Sequence, residues 1–157
     1  MTTDPSDAAQ ALDIALRAAR LAGNSLMARF EGPAEGVIAK STSTDLASVA
    51  DHEAEDVILS IIRAERPGDA ILSEEAGEAE AGTTGLRWLV DPLDGTTNFL
   101  WGYPQWAVSI ACHDDQGGLM GVVHDPIRGE TFSAVRGGPA VLNGRELVLE
   151  QIGRAHV

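Results

Sequence analysis

The hydrophobic pattern of this chain changes period once, at Pro67-Gly68, and that change restricts the folds open to it. From Ser6 to about Phe30, the residues Leu12, Ala15, Leu16, Ala19 and Ala22 recur at helical spacing, with Asp13, Arg17 and Arg20 opposite. The spacing predicts an amphipathic helix. "EGPAEG" breaks it, and "VIAKSTSTDLAS" reads as a short strand followed by a Ser/Thr-rich loop. A second helix is predicted from near Ser48 or Ala50 to Arg66, with Val57, Ile58, Ile61 and Ile62 inward, until Pro67-Gly68 stops it.

Beyond that point the period is two. "DAILSEEAG" reads as a short buried strand ending on acid, "EAEAGTTG" as a flexible surface loop and "LRWLVD" as the next strand. "QWAVSIAC" alternates Trp106, Val108, Ile110 and Cys112 with Ala107, Ser109 and Ala111. "HDDQGG" turns the chain into "LMGVVHD" as an antiparallel partner, with Gly117-Gly118 and Gly137-Gly138 read as hairpin turns. "ETFSAVRGG" and "AVLNGRELVL" continue as short strands around Gly/Asn turns. Two helices followed by a strand-rich run predict an α+β layered fold.

The 157 residues suit one domain, and 44% hydrophobic with 22% charged residues is an ordinary globular balance. Eleven basic residues against 24 acidic give a net charge of −13. Such a surface repels phosphate backbones, so nucleic acid is not an expected partner, although bound cations invert the local field for a small phosphorylated ligand. The single cysteine, Cys112, excludes an intrachain disulfide and is expected to be a small buried apolar residue. No basic-then-apolar leader and no uncharged run of spanning length is visible, so a soluble, cytoplasmic protein without membrane partners is expected.

The chemistry concentrates in "WLVDPLDGTTNF", where an apolar run ends in Asp91 and Asp94. Two like charges held close repel, so something positive belongs between them. Carboxylate oxygens are hard ligands suited to Mg²⁺, Mn²⁺ or Ca²⁺. Pro92 stiffens the turn, the Leu93 carbonyl can join the ligands, and Gly95 admits a close ligand. The amides of Gly95, Thr96 and Thr97, if they open a helix, suit phosphate. Together these point to metal-assisted phosphoryl transfer to water. Asp-Pro and Asp-Gly are also favoured turn pairs that a functionless loop carries as readily. A second acidic strand end, Ser73-Glu74-Glu75, favours the metal reading, because two strands of one sheet ending in acid can share an ion.

Other residues give less. His52, His113 and His124 show no ligand spacing and read as surface or strand-end residues. Lys40, Glu78 and Glu80 read as solvated charges.

"WLVDPLDGTTNF" resembles the first signature of the inositol monophosphatase family. The likeness extends in order through "KSTSTDLASVAD", "ILSEEAG", "WAVSIA", "GVVHDP" and "LNGRELVL", from roughly Ala8 to Leu149. It implies a layered α/β sandwich of the inositol monophosphatase and sugar phosphatase type, with N-terminal helices on a largely antiparallel sheet. It also implies a Mg²⁺-dependent phosphoric monoester hydrolase with two or three Mg²⁺ ions. In that scheme Glu74, Asp91 and the Leu93 carbonyl hold one ion, and Asp91 and Asp94 hold a second. Gly95 and Thr96 bind the phosphate through backbone N–H groups, with Leu93 and Asp94 in the substrate site. Glu74 and Thr96 orient the attacking water, and Asp51 supports Thr96. A homodimer is implied for the complete protein.

The resemblance leaves the substrate open among inositol phosphate, histidinol phosphate, fructose bisphosphate and a phosphoadenosine nucleotide. The simple loops favour the first two. A non-catalytic metal-binding or regulatory protein is the alternative of another class. Ser73, Pro139 and Val141 depart from the family's usual residues. The family's second signature, whose aspartate completes the second metal site, has no counterpart here. The final residues, Ile152 to Val157, read as one frame of a sequencing-adapter oligonucleotide. Residues 1–151 are therefore expected to be the N-terminal portion of such a domain, and 152–157 a non-native tail. The C-terminal part is expected to be missing and catalysis impaired.

Overall fold

In the computed structural model, the described residues are 5–30, 40–74, 77–79 and 82–148. Helix α1 (Pro5–Arg29) is the predicted amphipathic helix. It buries Ala8, Ala11, Ile14, Ala15, Ala18, Ala19, Ala22 and Leu26, while Leu12 and Leu16 pack at the margin. The small side chains let α1 lie close against the sheet.

Helix α2 (Lys40–Glu65) starts earlier than the sequence suggested. The Ser/Thr-rich run read as a loop forms its first turns, and the expected start near Ser48 or Ala50 is corrected to Lys40. Ser and Thr cost only about 0.5 kcal/mol each against Ala in a helix. With no Gly or Pro between Lys40 and Arg66, a helix nucleated by packing of its later turns propagates backward cheaply. Ala54, Ile58, Leu59 and Ile62 form its buried stripe. The "EGPAEG" break, the strand expected at Val37 to Ala39, the Lys40, Glu78 and Glu80 side chains, and residues 149–157 lie outside what is described.

Eight strands form one sheet in the order β2-β1-β3-β4-β5-β6-β7-β8. They are β1 (Ala70–Ser73), β2 (Gly77–Ala79), β3 (Arg87–Asp94), β4 (Ala107–Asp114), β5 (Gly117–Asp125), β6 (Glu130–Val135), β7 (Ala140–Leu142) and β8 (Arg145–Glu146). Every neighbouring pair is antiparallel except β1 and β3, which run parallel with Ser73 opposite Val90. The expected largely antiparallel sheet with N-terminal helices packed on it is what forms. In β4 the predicted alternation holds, with Val108, Ile110 and Cys112 buried toward the helices. Burial pushes the Cys112 thiol up to about 12, so it is an inert core residue.

Three readings change. The "EAEAGTTG" segment contributes to β2, where Glu78 pairs with Leu72. It is tied beyond it by Thr83 N–H to the Gly68 carbonyl (2.7 Å) and Thr84 Oγ1 to Asp69 Oδ1 (2.6 Å). Gly117-Gly118 opens β5, and the turn itself is Asp115-Gln116. His124 stands near the end of β5 but is buried, not surface, bonded to Thr131 Oγ1 at 2.9 Å. It follows Val122 by two residues, so the strand's period carries it onto the helix-covered face.

Two features brace the opposite ends of the central strands. A trio of Phe30, Phe99 and Trp106, with ring centroids 5.1–5.5 Å apart, joins the end of α1 to the turn after β3 and to the start of β4. At the opposite end of β1 and β3, Asp69 accepts from Arg66 Nε and Trp88 Nε1, both at 2.9 Å, which anchors the strand starts.

Candidate active site

Parallel strands present their carboxyl ends on the same edge, and here β1 and β3 end side by side in acid. The ladder continues one step past β1, with the Glu74 amide donating to the Val90 carbonyl at 3.2 Å. Because strand side chains alternate, Ser73 and Val90 face the helices, and Glu74 and Asp91 point together to the other side. The sequence placed these acids on two strand ends; the parallel register makes them neighbours.

β3 loses its regular register between Asp91 and Asp94, where Pro92 and Leu93 are buried and Asp94 rejoins β4 opposite Ala107. The Leu93 amide donates to Asp91 Oδ1 at 3.2 Å, which holds the carboxylate over the irregularity. Gly95 then adopts φ +92° and caps the short helix α3 (Thr96–Leu100). A Cβ at that position would meet the Gln105 carbonyl oxygen at 3.1 Å, so the turn needs glycine for both its backbone angle and its packing. The first intrahelical bond runs from the Phe99 amide to the Gly95 carbonyl (3.0 Å), so the preceding amides belong to the open helix start.

Burial, then the facing charges of Glu74 and Asp94, push the Asp91 carboxyl up to about 6, against the pull of the Leu93 amide. Glu74 also hydrogen-bonds Asp91. Like charges at this spacing separate unless a proton or a cation stands between them. Among the described residues no group of three or more His, Cys, Asp or Glu side chains is drawn together closely enough to hold an ion. The donor set is nevertheless of one kind: the carboxylates of Glu74, Asp91 and Asp94 and the Leu93 carbonyl. All are hard oxygens that fit Mg²⁺ or Mn²⁺ and not a soft metal.

Asp51 is buried on α2, which packs against α3. The Thr96 hydroxyl donates to the Leu93 carbonyl at 3.0 Å. Glu75 lies outside the described residues. One residue escaped the sequence reading. Glu55, one turn after Asp51 on the same helix face, is buried and accepts a hydrogen bond from the buried Ser73 hydroxyl. The four-residue spacing of Asp51 and Glu55 was the available signal.

The model of the inositol monophosphatase family matches residues 7–155. The chain belongs to that family. Nus factor SuhB of Escherichia coli strain K12 is 43% identical over 136 residues, which is 87% of this chain and 51% of that protein. The extragenic suppressor protein SuhB of Bartonella henselae superposes with a TM-score of 0.77 at 36% identity, over 89% of this chain and 54% of that one. An inositol monophosphatase from Anabaena gives 0.75 at 34% identity, over 89% and 49%. The chain spans about half the length of the curated relatives it matches. The layered α+β fold is thus that of the family. Among the described residues no helix is long and apolar enough to cross a membrane.

Proposed function

We propose that this chain carries the metal- and phosphate-binding part of a Mg²⁺-dependent phosphoric monoester hydrolase. The complete protein would hydrolyse a small phosphate monoester such as inositol monophosphate. Histidinol phosphate or another sugar phosphate is the alternative. The observation that supports this best is the pairing of Glu74 with Asp91 on adjacent parallel strand ends, beside the left-handed Gly95 turn.

In this reading Glu74, Asp91 and the Leu93 carbonyl hold one Mg²⁺, and Asp91 with Asp94 holds another. Such ions supply charge neutralisation for the attacking and leaving oxygens of an in-line displacement. The chain's own residues do the rest. The Gly95 and Thr96 amides receive phosphate oxygens. Glu74 accepts a hydrogen bond from the attacking water and orients it toward phosphorus. The Thr96 hydroxyl, braced on the Leu93 carbonyl, keeps that carbonyl aimed at the site. Asp51, buried on α2, backs the α3 start.

The proposal also places the protein in the cytoplasm, as a homodimer when complete, with nucleic acid no part of its chemistry. A regulatory role by contact is the second reading, supported by the relatives that carry the name Nus factor SuhB. Phosphate release from inositol monophosphate by the complete protein separates them. The catalytic reading expects Mg²⁺-dependent turnover that Asp91→Asn abolishes. Turnover that is absent, or indifferent to Asp91→Asn, would overturn it.

A further inference from the structure

We infer that Ser73 and Glu55 form a positioning pair that sets the direction of Glu74, a device particular to the serine at the end of β1. The inference rests on the metal-site reading above and names what aims one of its ligands.

Ser73 is the last residue of β1, 3% exposed, and its hydroxyl donates to Glu55 Oε1; Glu55 is 6% exposed on α2. Glu74 follows at once, outside the strand, with an exposed side chain and one ladder bond, from its amide to the Val90 carbonyl. A residue so placed inherits its direction from its neighbour. Side chains alternate along a strand, so fixing Ser73 toward α2 fixes Glu74 toward the opposite face, where Asp91 stands. The bond also links the end of β1 to the helix that carries Asp51 one turn earlier.

A buried serine whose hydroxyl served packing alone would be replaceable by alanine at the cost of stability only. The pairing proposed here makes a different demand. Without the hydroxyl, β1 keeps its place through Ile71 and its pairing with β3, but its last residue is released from α2 and Glu74 loses its aim. Residues that orient metal ligands typically change affinity by about 10–100-fold when removed. Because Ser73 acts on one ligand of several, the expected loss is at the lower end, about tenfold.

The test is Mn²⁺ binding to the 157-residue chain, read as the loss of free Mn²⁺ signal by electron paramagnetic resonance, with melting temperature in EDTA measured in parallel. Ser73→Ala is expected to weaken Mn²⁺ about tenfold, and Ser73→Thr, which keeps the hydroxyl, to stay within about twofold. If Ser73→Ala does not fold, Ser73→Cys makes the same comparison with an isosteric but weak donor. Equal affinity in Ser73→Ala and the unaltered chain overturns the inference and leaves the metal site standing. Equal losses in the Ala and Thr variants, tracking their melting temperatures, overturn it in favour of packing. No Mn²⁺ binding by the unaltered chain removes the metal-site reading itself, and the inference with it.

Discussion

Replacing Asp91 by Asn should stabilise the metal-free chain while destroying its response to Mg²⁺. Asp91 is held at about 6 where an unfolded aspartate titrates near 3.8. A gap of that size disfavours the ionised form by about 3 kcal/mol, at about 1.36 kcal/mol for each pH unit. Asp91 is only partly buried, and solvent screening reduces the figure to about 1 kcal/mol. Asparagine keeps an oxygen for the Leu93 amide and carries no charge toward Glu74 and Asp94.

The sign with pH follows from the raised folded-state value. Protonated Asp91 favours the folded chain below about pH 4, and this contribution is lost as pH rises through about 6. The variant's advantage should therefore be full at pH 7.5 and about halved at pH 5. For a chain of this size about 1 kcal/mol corresponds to roughly 2–4 °C in melting temperature. The assay is thermal unfolding in EDTA at both pH values, repeated with Mg²⁺ at pH 7.5. The unaltered chain should gain stability with Mg²⁺, and Asp91→Asn should not. A variant that melts at or below the unaltered chain in EDTA at pH 7.5, or by the same margin at both pH values, would refute the reasoning.

Other outcomes follow from the packing. Gly95→Ala puts a Cβ on a left-handed backbone at φ +92° and 3.1 Å from the Gln105 carbonyl oxygen. It should cost about 1–2 kcal/mol in chemical denaturation from the backbone alone and weaken phosphate binding. Gly23→Ala brings a Cβ to 2.7 Å from His124 Cδ2; overpacking of about 1–3 kcal/mol should exceed the roughly 1 kcal/mol that alanine gains in a helix. Urea unfolding should show a net loss that His124→Ala partly relieves. Asp69→Ala leaves the Trp88 indole, the Arg66 guanidinium and the Thr84 hydroxyl without their buried acceptor. It should cost about 3–5 kcal/mol in the same assay.

Local pattern made much of this legible. The strands of the β4–β5 hairpin could be read because alternating burial has a period of two, and the charged Asp114 and Asp115 mark the turn. Asp91 and Asp94 stood out because two acids closing an apolar run are costly without a partner. The early start of α2 was hidden because Ser and Thr resemble loop residues, and their helical state depends on the packing of residues ten positions later. The burial of His124 was visible in its spacing from Val122 but obscured by its polarity. The Ser73–Glu55 contact lies between a strand end and a helix eighteen residues away, a tertiary fact that no local spacing encodes. The parallel register that turns Glu74 and Asp91 into neighbours is of the same kind.

The most direct measurement on the central claim is anomalous scattering from crystals of the chain soaked in Mn²⁺. The account predicts a peak between Glu74, Asp91 and the Leu93 carbonyl oxygen, with a weaker one shared by Asp91 and Asp94. An absence of anomalous density at this turn, at Mn²⁺ concentrations that saturate carboxylate sites, would contradict it.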